Sequence, residues 1–258
     1  MTVNGSDRDE FYVNYGKIPP GFTRHLLWFV PLVVAIAIAL GLILPQVHTQ
    51  FNDGRSFSLA NEELIGILQT QPAAQLLVPR SGDTSASANY SRYLMMAFNK
   101  ASLSADFLEE NEGQWLNVKG TLFNRNTLAG IATSPTRSEP TEAPENPPPI
   151  DRDVSLGEFS LVGEIVDSKC YPGVMKPGRT HTHRACAIRC ISGGIPPVFV
   201  VESGNSEKLY FLLADREGKA VNDRVLDKVA DPLLIKGEVI QRGDMFLLQA
   251  DPETYELI

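Results

Sequence analysis

Cysteine is scarce in this chain of 258 residues. There are three, Cys170, Cys186 and Cys190, and none precedes position 170. That scarcity excludes a scaffold stapled throughout by disulfides. An excess of positive charge is also missing. Lys and Arg total 23 against 31 Asp and Glu, a net charge of −8, which argues against a general nucleic-acid binder. Several motifs are absent. Without Cys-x-x-Cys-His there is no covalent c-type haem. Without a P-loop, G-x-G-x-x-G, G-x-S-x-G or His-Glu-x-x-His, nothing indicates a nucleotide site, a flavin fold, a serine hydrolase or a zincin.

Long apolar runs are lacking too, with one exception. Leu26 to Leu44 is an uncharged run of 19 residues with no polar stripe. As a helix rising about 1.5 Å per residue it spans roughly 28 Å, close to the bilayer core. Pro31 and Gly41 are tolerated in such a helix. A cleaved signal peptide has a shorter core followed by a small-x-small site, whereas Pro45-Gln-Val-His follows here. The run is therefore expected to be a retained transmembrane helix over 26–45. Arg8, Lys17 and Arg24 precede it, and only Arg55 lies between it and Arg80. By the positive-inside rule the tail 1–25 is cytoplasmic and the bulk of the chain is outside, which in a bacterium means the periplasm.

Residues 133–153 include six prolines among 21 and read as a semi-extended linker. It separates 46–132 from 154–258, and these segments look alike. Tyr93-Leu-Met-Met-Ala97 matches Tyr210-Phe-Leu-Leu-Ala214. Val118-Lys-Gly-Thr-Leu-Phe-Asn-Arg125 matches Ile235-Lys-Gly-Glu-Val-Ile-Gln-Arg242. Both pairs are offset by 117. Leu64-Ile-Gly-Ile-Leu68 resembles Leu161-Val-Gly-Glu-Ile165 at an offset of 97. The pattern predicts an internal duplication. In the second copy, short β runs at Phe159–Val166, Val198–Glu202 and Leu209–Ala214 precede a helix over Val221–Val229. A hairpin of Leu233–Ile240 and Met245–Ala250 follows, with Gly237 marking a bulge or tight bend. The expected fold class is mainly β: one N-terminal transmembrane helix, then two tandem OB-like small β-barrels, the second with a helical insertion bearing Cys and His.

The duplication isolates that insertion. Gly66 to Tyr93 is 27 positions and Gly163 to Tyr210 is 47, so the second copy is longer by 20 where its cysteines lie. His183, Cys186 and Cys190 are spaced i, i+3 and i+7, which puts them on one face of a short helix. Thr180 or Thr182 can cap that helix, Gly193-Gly194 can end it, and Cys170 comes from the preceding loop. Three sulfurs and one nitrogen make a tetrahedral set for zinc first, with iron or copper also compatible. A disulfide from Cys170 to Cys186 or Cys190, with one thiol to spare, is the structural alternative. A thiol redox enzyme is the third; Cys186–Cys190 is poorly spaced for a strain-free bridge. His181 is expected in solvent and Met175 in packing.

Lys169, Lys176, Arg179, Arg184 and Arg189 crowd the insert, and no acid lies between Asp167 and Glu202. Such a patch favours thiolates and attracts an anion or an acidic partner; Arg184 and Arg189 are its candidate anion contacts. Asp167 can salt-bridge the patch or orient a ligating histidine.

The string Asp167-x-x-Cys170-Tyr171 … His183-x-x-Cys186-x-x-x-Cys190-x-x-Gly193-Gly194-x-Pro196 resembles a pattern in bacterial exported or membrane-anchored proteins with a small β domain. Phe11-Tyr-Val-Asn-Tyr … Pro19-Pro20-Gly before the span is similar to bacterial inner-membrane proteins. The resemblance covers about the last 100 residues; it implies that the motif is one unit and adds no reaction. The resulting expectation is a single-pass protein of the bacterial inner membrane with a Cys3His metal site. It would be a binding or assembly protein rather than an enzyme, accessory to a membrane redox complex. Its partners would be the membrane and another membrane or periplasmic protein, with no nucleic acid.

Overall fold

The computed structural model describes residues 20–49, 55–58, 61–80, 88–173, 175–202 and 207–258. The tail carrying Arg8, Lys17 and the Phe11 motif lies outside them. The chain forms two compact units, 1–52 and 53–258.

In the first unit, α1 (Pro20–Thr49) contains Phe22–Leu44, a 23-residue apolar span of hydropathy 2.8 in which no residue is buried. Apolar side chains all round a helix are what a lipid-facing or targeting segment presents. The helix is long and apolar enough to cross a membrane. Its length and composition fit a signal sequence equally.

The second unit is mainly β. In its first half the strands are β1 (Arg55–Phe57), β2 (Glu62–Gln69), β3 (Gln75–Pro79) and β4 (Tyr90–Ala97). Helix α2 (Ala105–Asn111) follows, then β5 (Trp115–Arg125), β6 (Leu128–Thr133) and β7 (Ser138–Pro140). The second half has β8 (Asp153–Asp167), α3 (Arg184–Ile191), β9 (Pro197–Glu202), β10 (Lys208–Ala214), β11 (Pro232–Arg242), β12 (Met245–Gln249) and β13 (Glu256–Leu257).

Each half closes into a five-stranded barrel. β2 pairs antiparallel with β3, β3 with β4, β6 with β5, and β5 with β2, while β4 and β6 run parallel. β8, β9, β10, β12 and β11 repeat this circuit, with β10 and β12 parallel. These are two small OB-like barrels in tandem. Full closure removes the free strand edges that a curved sheet otherwise exposes. β5 and β11 are each eleven residues long and start 117 positions apart. β7 on β5 and β13 on β11 keep the same offset in register, Leu116↔Pro140 and Leu233↔Leu257. Gly120 and Gly237 hold corresponding positions. A Cβ on either would fall 2.4 Å from Ala132 O or 2.6 Å from Gln249 O, so both mark a close approach inside a barrel.

Two sequence expectations change. Val221–Val229 is not an α-helix but two 3₁₀ turns, Asn222–Arg224 and Leu226–Lys228. The corresponding stretch of the first barrel, α2, is helical and contains Ala105, Phe107, Leu108, Glu109 and Glu110. In the second barrel three β-branched valines, Val221, Val225 and Val229, are all buried, and their restricted χ1 disfavours a helix. The start of the Pro-rich stretch also belongs to the first barrel: Ser138–Pro140 pair with β5 as β7.

The barrels are not beads on a string. One buried cluster joins Leu94, Met96, Phe123 and Leu128 of the first to Tyr171, Cys190, Ile195 and Leu212 of the second. Polar contacts reinforce it. Arg80 bonds Asp244 at 2.8 Å, and Arg242 donates to Gln71 O at 3.0 Å. Arg125, 5% exposed, lies 4.1 Å from the centre of the Tyr171 ring and donates to Tyr171 O. Two cyclic sheets that share apolar side chains bury more surface than either could alone.

Candidate metal centre

The site is built where β8 ends. Its last residue, Asp167, is fully buried, and its Oδ1 accepts the backbone N–H groups of Lys169 at 3.2 Å and Cys170 at 2.6 Å. An aspartate that bonds the backbone two and three residues on fixes a turn. This turn aims Cys170 back at the barrel. Asp167 Oδ2 lies 2.9 Å from His183 Nε2, so one carboxylate positions both a thiol and an imidazole.

Helix α3 supplies the rest. His183 is its N-cap residue, with Cys186 in the first turn and Cys190 in the last. The helix stops at Gly193-Gly194, where the chain turns into β9. The expected threonine cap is not used: Thr180 and Thr182 bond one another and Thr182 donates to Arg179 O. Buried Ala187 and Ile191 hold the helix on the second barrel's core.

Cys170, His183 and Cys186 bring one ligand atom each within 4.8 Å of one another, and so do Asp167, Cys170 and Cys190. Three of the four sequence-predicted ligands thus form one group, and the fourth, Cys190, joins Cys170 in a second group completed by Asp167. No disulfide joins the cysteines. Cys170 Sγ and Cys190 Sγ are 3.7 Å apart, far beyond a disulfide bond of about 2.05 Å. Zinc–sulfur bonds of about 2.3 Å in a tetrahedron put neighbouring sulfurs about 3.8 Å apart, so the observed spacing fits a shared metal. Asp167 holds Nε2 of His183 and leaves Nδ1 as the ring nitrogen available to a metal. A carboxylate–histidine pair of this kind fixes both tautomer and ring orientation.

Electrostatics follow from the contacts. The bond to Asp167, then that to Cys170, raises the pKa of His183 to about 9. Hydrogen bonding with Cys190, then burial, pushes the Cys170 thiol well up. Burial lowers the pKa of Lys169, whose ammonium donates to Ala97 O and Asn99 O of the first barrel.

The basic patch is only partly aimed at the sulfurs. Arg184 is engaged by Asp231 at 2.5 Å and by Asp227 O at 2.7 Å. Arg179 pairs with Glu164 and Glu202. Arg189 and Lys176 are exposed, as is His181, which lies 3.4 Å from Asp231. Met175 is 39% exposed, less packed than its apolar character suggests. Sequence reasoning missed Lys100. This residue of the first barrel donates to Cys186 Sγ and faces all three sulfurs. Only a fold that docks the two barrels brings it there; no spacing in the sequence marks it.

The arrangement is a Cys/His group able to bind a metal, roofed on one side by the first barrel. No protein-family model matches the chain, and no curated protein is detectably similar to it.

Proposed function

We propose that this protein is a membrane-anchored, exported binding or assembly protein that holds one transition metal, zinc first, in its second barrel. Cys170, His183, Cys186 and Cys190 are the ligands and Asp167 orients His183. The convergence of these side chains around Cys170, with Asp167 bonding both the Cys170 backbone and the His183 ring, carries the reading. Three thiolates and one imidazole are a complete tetrahedral set for zinc, and iron or copper is also compatible with these donors.

In this reading the two barrels descend from an internal duplication, since β11 and β12, which follow the insert, start 117 positions after β5 and β6. α1 anchors the chain in a bacterial inner membrane with the N-terminus inside and the barrels in the periplasm. The Asp-x-x-Cys-Tyr pattern resembles one in exported and membrane-anchored bacterial proteins and supports that location; a role accessory to a membrane redox complex rests on the location and the ligand type. A second reading draws on the 3.7 Å Cys170–Cys190 separation. These thiols could pass two electrons and two protons to an acceptor disulfide, forming their own disulfide as the acceptor becomes two thiols.

One experiment separates the readings. The full chain is purified in detergent without chelators; bound metal and free thiols are then counted. One equivalent of zinc, lost in Cys186→Ser and His183→Ala, supports the metal site. Metal-free protein with a Cys170–Cys190 disulfide refutes it in favour of thiol chemistry. Protease accessibility of the barrels in spheroplasts checks the orientation.

A further inference from the structure

The first barrel contains no cysteine, yet its loop after β4 is pressed against the insert. Ser102 N–H donates to Gly193 O at 2.8 Å. A Cβ on Gly193 would lie 2.0 Å from Lys100 O, and one on Gly194 2.8 Å from the Ser102 side chain. Glycine at both positions therefore lets the two backbones meet. Lys169 crosses in the opposite direction and ties its ammonium to Ala97 O and Asn99 O. These contacts pin both ends of the segment 97–102. Within it, Lys100 directs Nζ onto Cys186 Sγ.

We propose that Lys100 is a positioning residue of the metal centre, donating an N–H···S bond to the Cys186 thiolate, so that the working site is a composite of both barrels. The inference rests on the metal reading above and deepens it. Three thiolates and a neutral imidazole around a divalent ion carry one net negative charge, and Asp167 adds another. Lys100 and Lys169 supply two positive charges that balance them. A charge-assisted bond to a ligand sulfur withdraws electron density from it. Cys170 and Cys186 are both partly exposed, whereas Cys190 is buried, and Cys186 is the one whose sulfur Lys100 meets. The consequence is a metal held as a neutral, slowly exchanging centre, with a partly exposed thiolate made less nucleophilic.

The test uses the full chain in detergent, loaded with Zn²⁺ or with Co²⁺ as a spectroscopic probe, in wild type, Lys100→Ala, Lys100→Arg and Lys119→Ala. Three readouts are taken: zinc release to excess chelator, alkylation of Cys186 by iodoacetamide, and the thiolate-to-cobalt charge-transfer band. Lys100→Ala is expected to speed release and alkylation about tenfold, the worth of one charge-assisted hydrogen bond. It should also move the charge-transfer band to lower energy. Lys100→Arg, which keeps a donor, should recover most of each effect. Lys119→Ala, which removes an exposed charge from the same barrel, should change none of them. Release, alkylation and band position all unchanged in Lys100→Ala would overturn the proposal, as would an equal effect from Lys119→Ala. A wild type that binds no metal defeats the metal reading itself, and this inference with it. Normal loading with unchanged rates defeats only the role of Lys100.

Discussion

Replacing Asp167 by Asn tests how the site is oriented without dismantling it. The Asn Oδ1 can still accept the backbone N–H groups of Lys169 and Cys170, at 3.2 and 2.6 Å in the parent. The turn that presents Cys170 therefore survives. The other end of the side chain changes sign: Asp167 Oδ2 is an acceptor facing His183 Nε2 at 2.9 Å, whereas the Asn amide is a donor. Nε2 must then accept, its proton moves to Nδ1, and the nitrogen available to a metal is blocked. Turning the amide over does not help, because its NH₂ would face two backbone donors. Loss of a carboxylate that orients a ligating histidine weakens metal affinity about 10- to 100-fold, roughly 1.4–2.8 kcal/mol. Zinc affinity is read by competition with a chromophoric chelator, and a urea melt of the metal-free protein is run beside it. Asp167→Ala should do worse on both counts, since two backbone donors and a 97%-buried imidazole lose their acceptor at about 1–3 kcal/mol each. If Asp167→Asn binds zinc within about threefold of wild type, Asp167 does not set the tautomer of His183 and the derived geometry is wrong.

Three further outcomes follow from the same contacts. Gly193→Ala puts a methyl 2.0 Å from Lys100 O; the barrels must part there, and a urea melt should show a loss of about 1–3 kcal/mol, typical of overpacking. Arg125→Ala removes a buried guanidinium stacked on Tyr171 and should cost about 2 kcal/mol by the same measurement. Arg125→Lys should not restore it, because a lysine cannot present a planar group to the ring. Val33→Arg places a charge near the middle of the apolar helix at about 2.5–3.5 kcal/mol; fractionation should find less of the chain in the membrane. An unchanged distribution would argue that α1 does not span.

The features easiest to read in the sequence were those encoded by local pattern. Strand-length apolar runs and the 117-residue offset pointed to the barrel strands, because alternation and turn residues are properties of short windows. The helical spacing of His183, Cys186 and Cys190 was legible for the same reason. The helix expected at Val221–Val229 is two 3₁₀ turns instead, because its three buried valines are β-branched, and Ser138–Pro140 of the expected linker is a strand because it finds a partner in β5. The overlapping grouping of the ligands was not legible. It depends on the Asp167 turn: the sequence offered Asp167 as a partner for a histidine, but nothing in the string said that its other oxygen would fix the Cys170 backbone.

What no local pattern could carry is the role of the first barrel. Because it lacks cysteine, it reads as a control that folds the same way without the site. The structure argues otherwise. Tyr171 of the Asp-x-x-Cys-Tyr turn packs under Arg125 of the first barrel, Gly193-Gly194 meets Lys100 and Ser102, and Lys169 bonds Ala97 and Asn99. Tyr171, Gly193 and Gly194 of the motif, and Lys169 inside it, are thus docking residues in the fold. Their spacing to the cysteines is dictated as much by the neighbouring barrel as by any ligand. A second barrel expressed alone would keep all the candidate ligands and lose Lys100, the Tyr171 stack and the carbonyls that hold Lys169. If the centre is the composite described here, that fragment should bind zinc more weakly than the full chain. Equal affinity would return the first barrel to the status of a spacer.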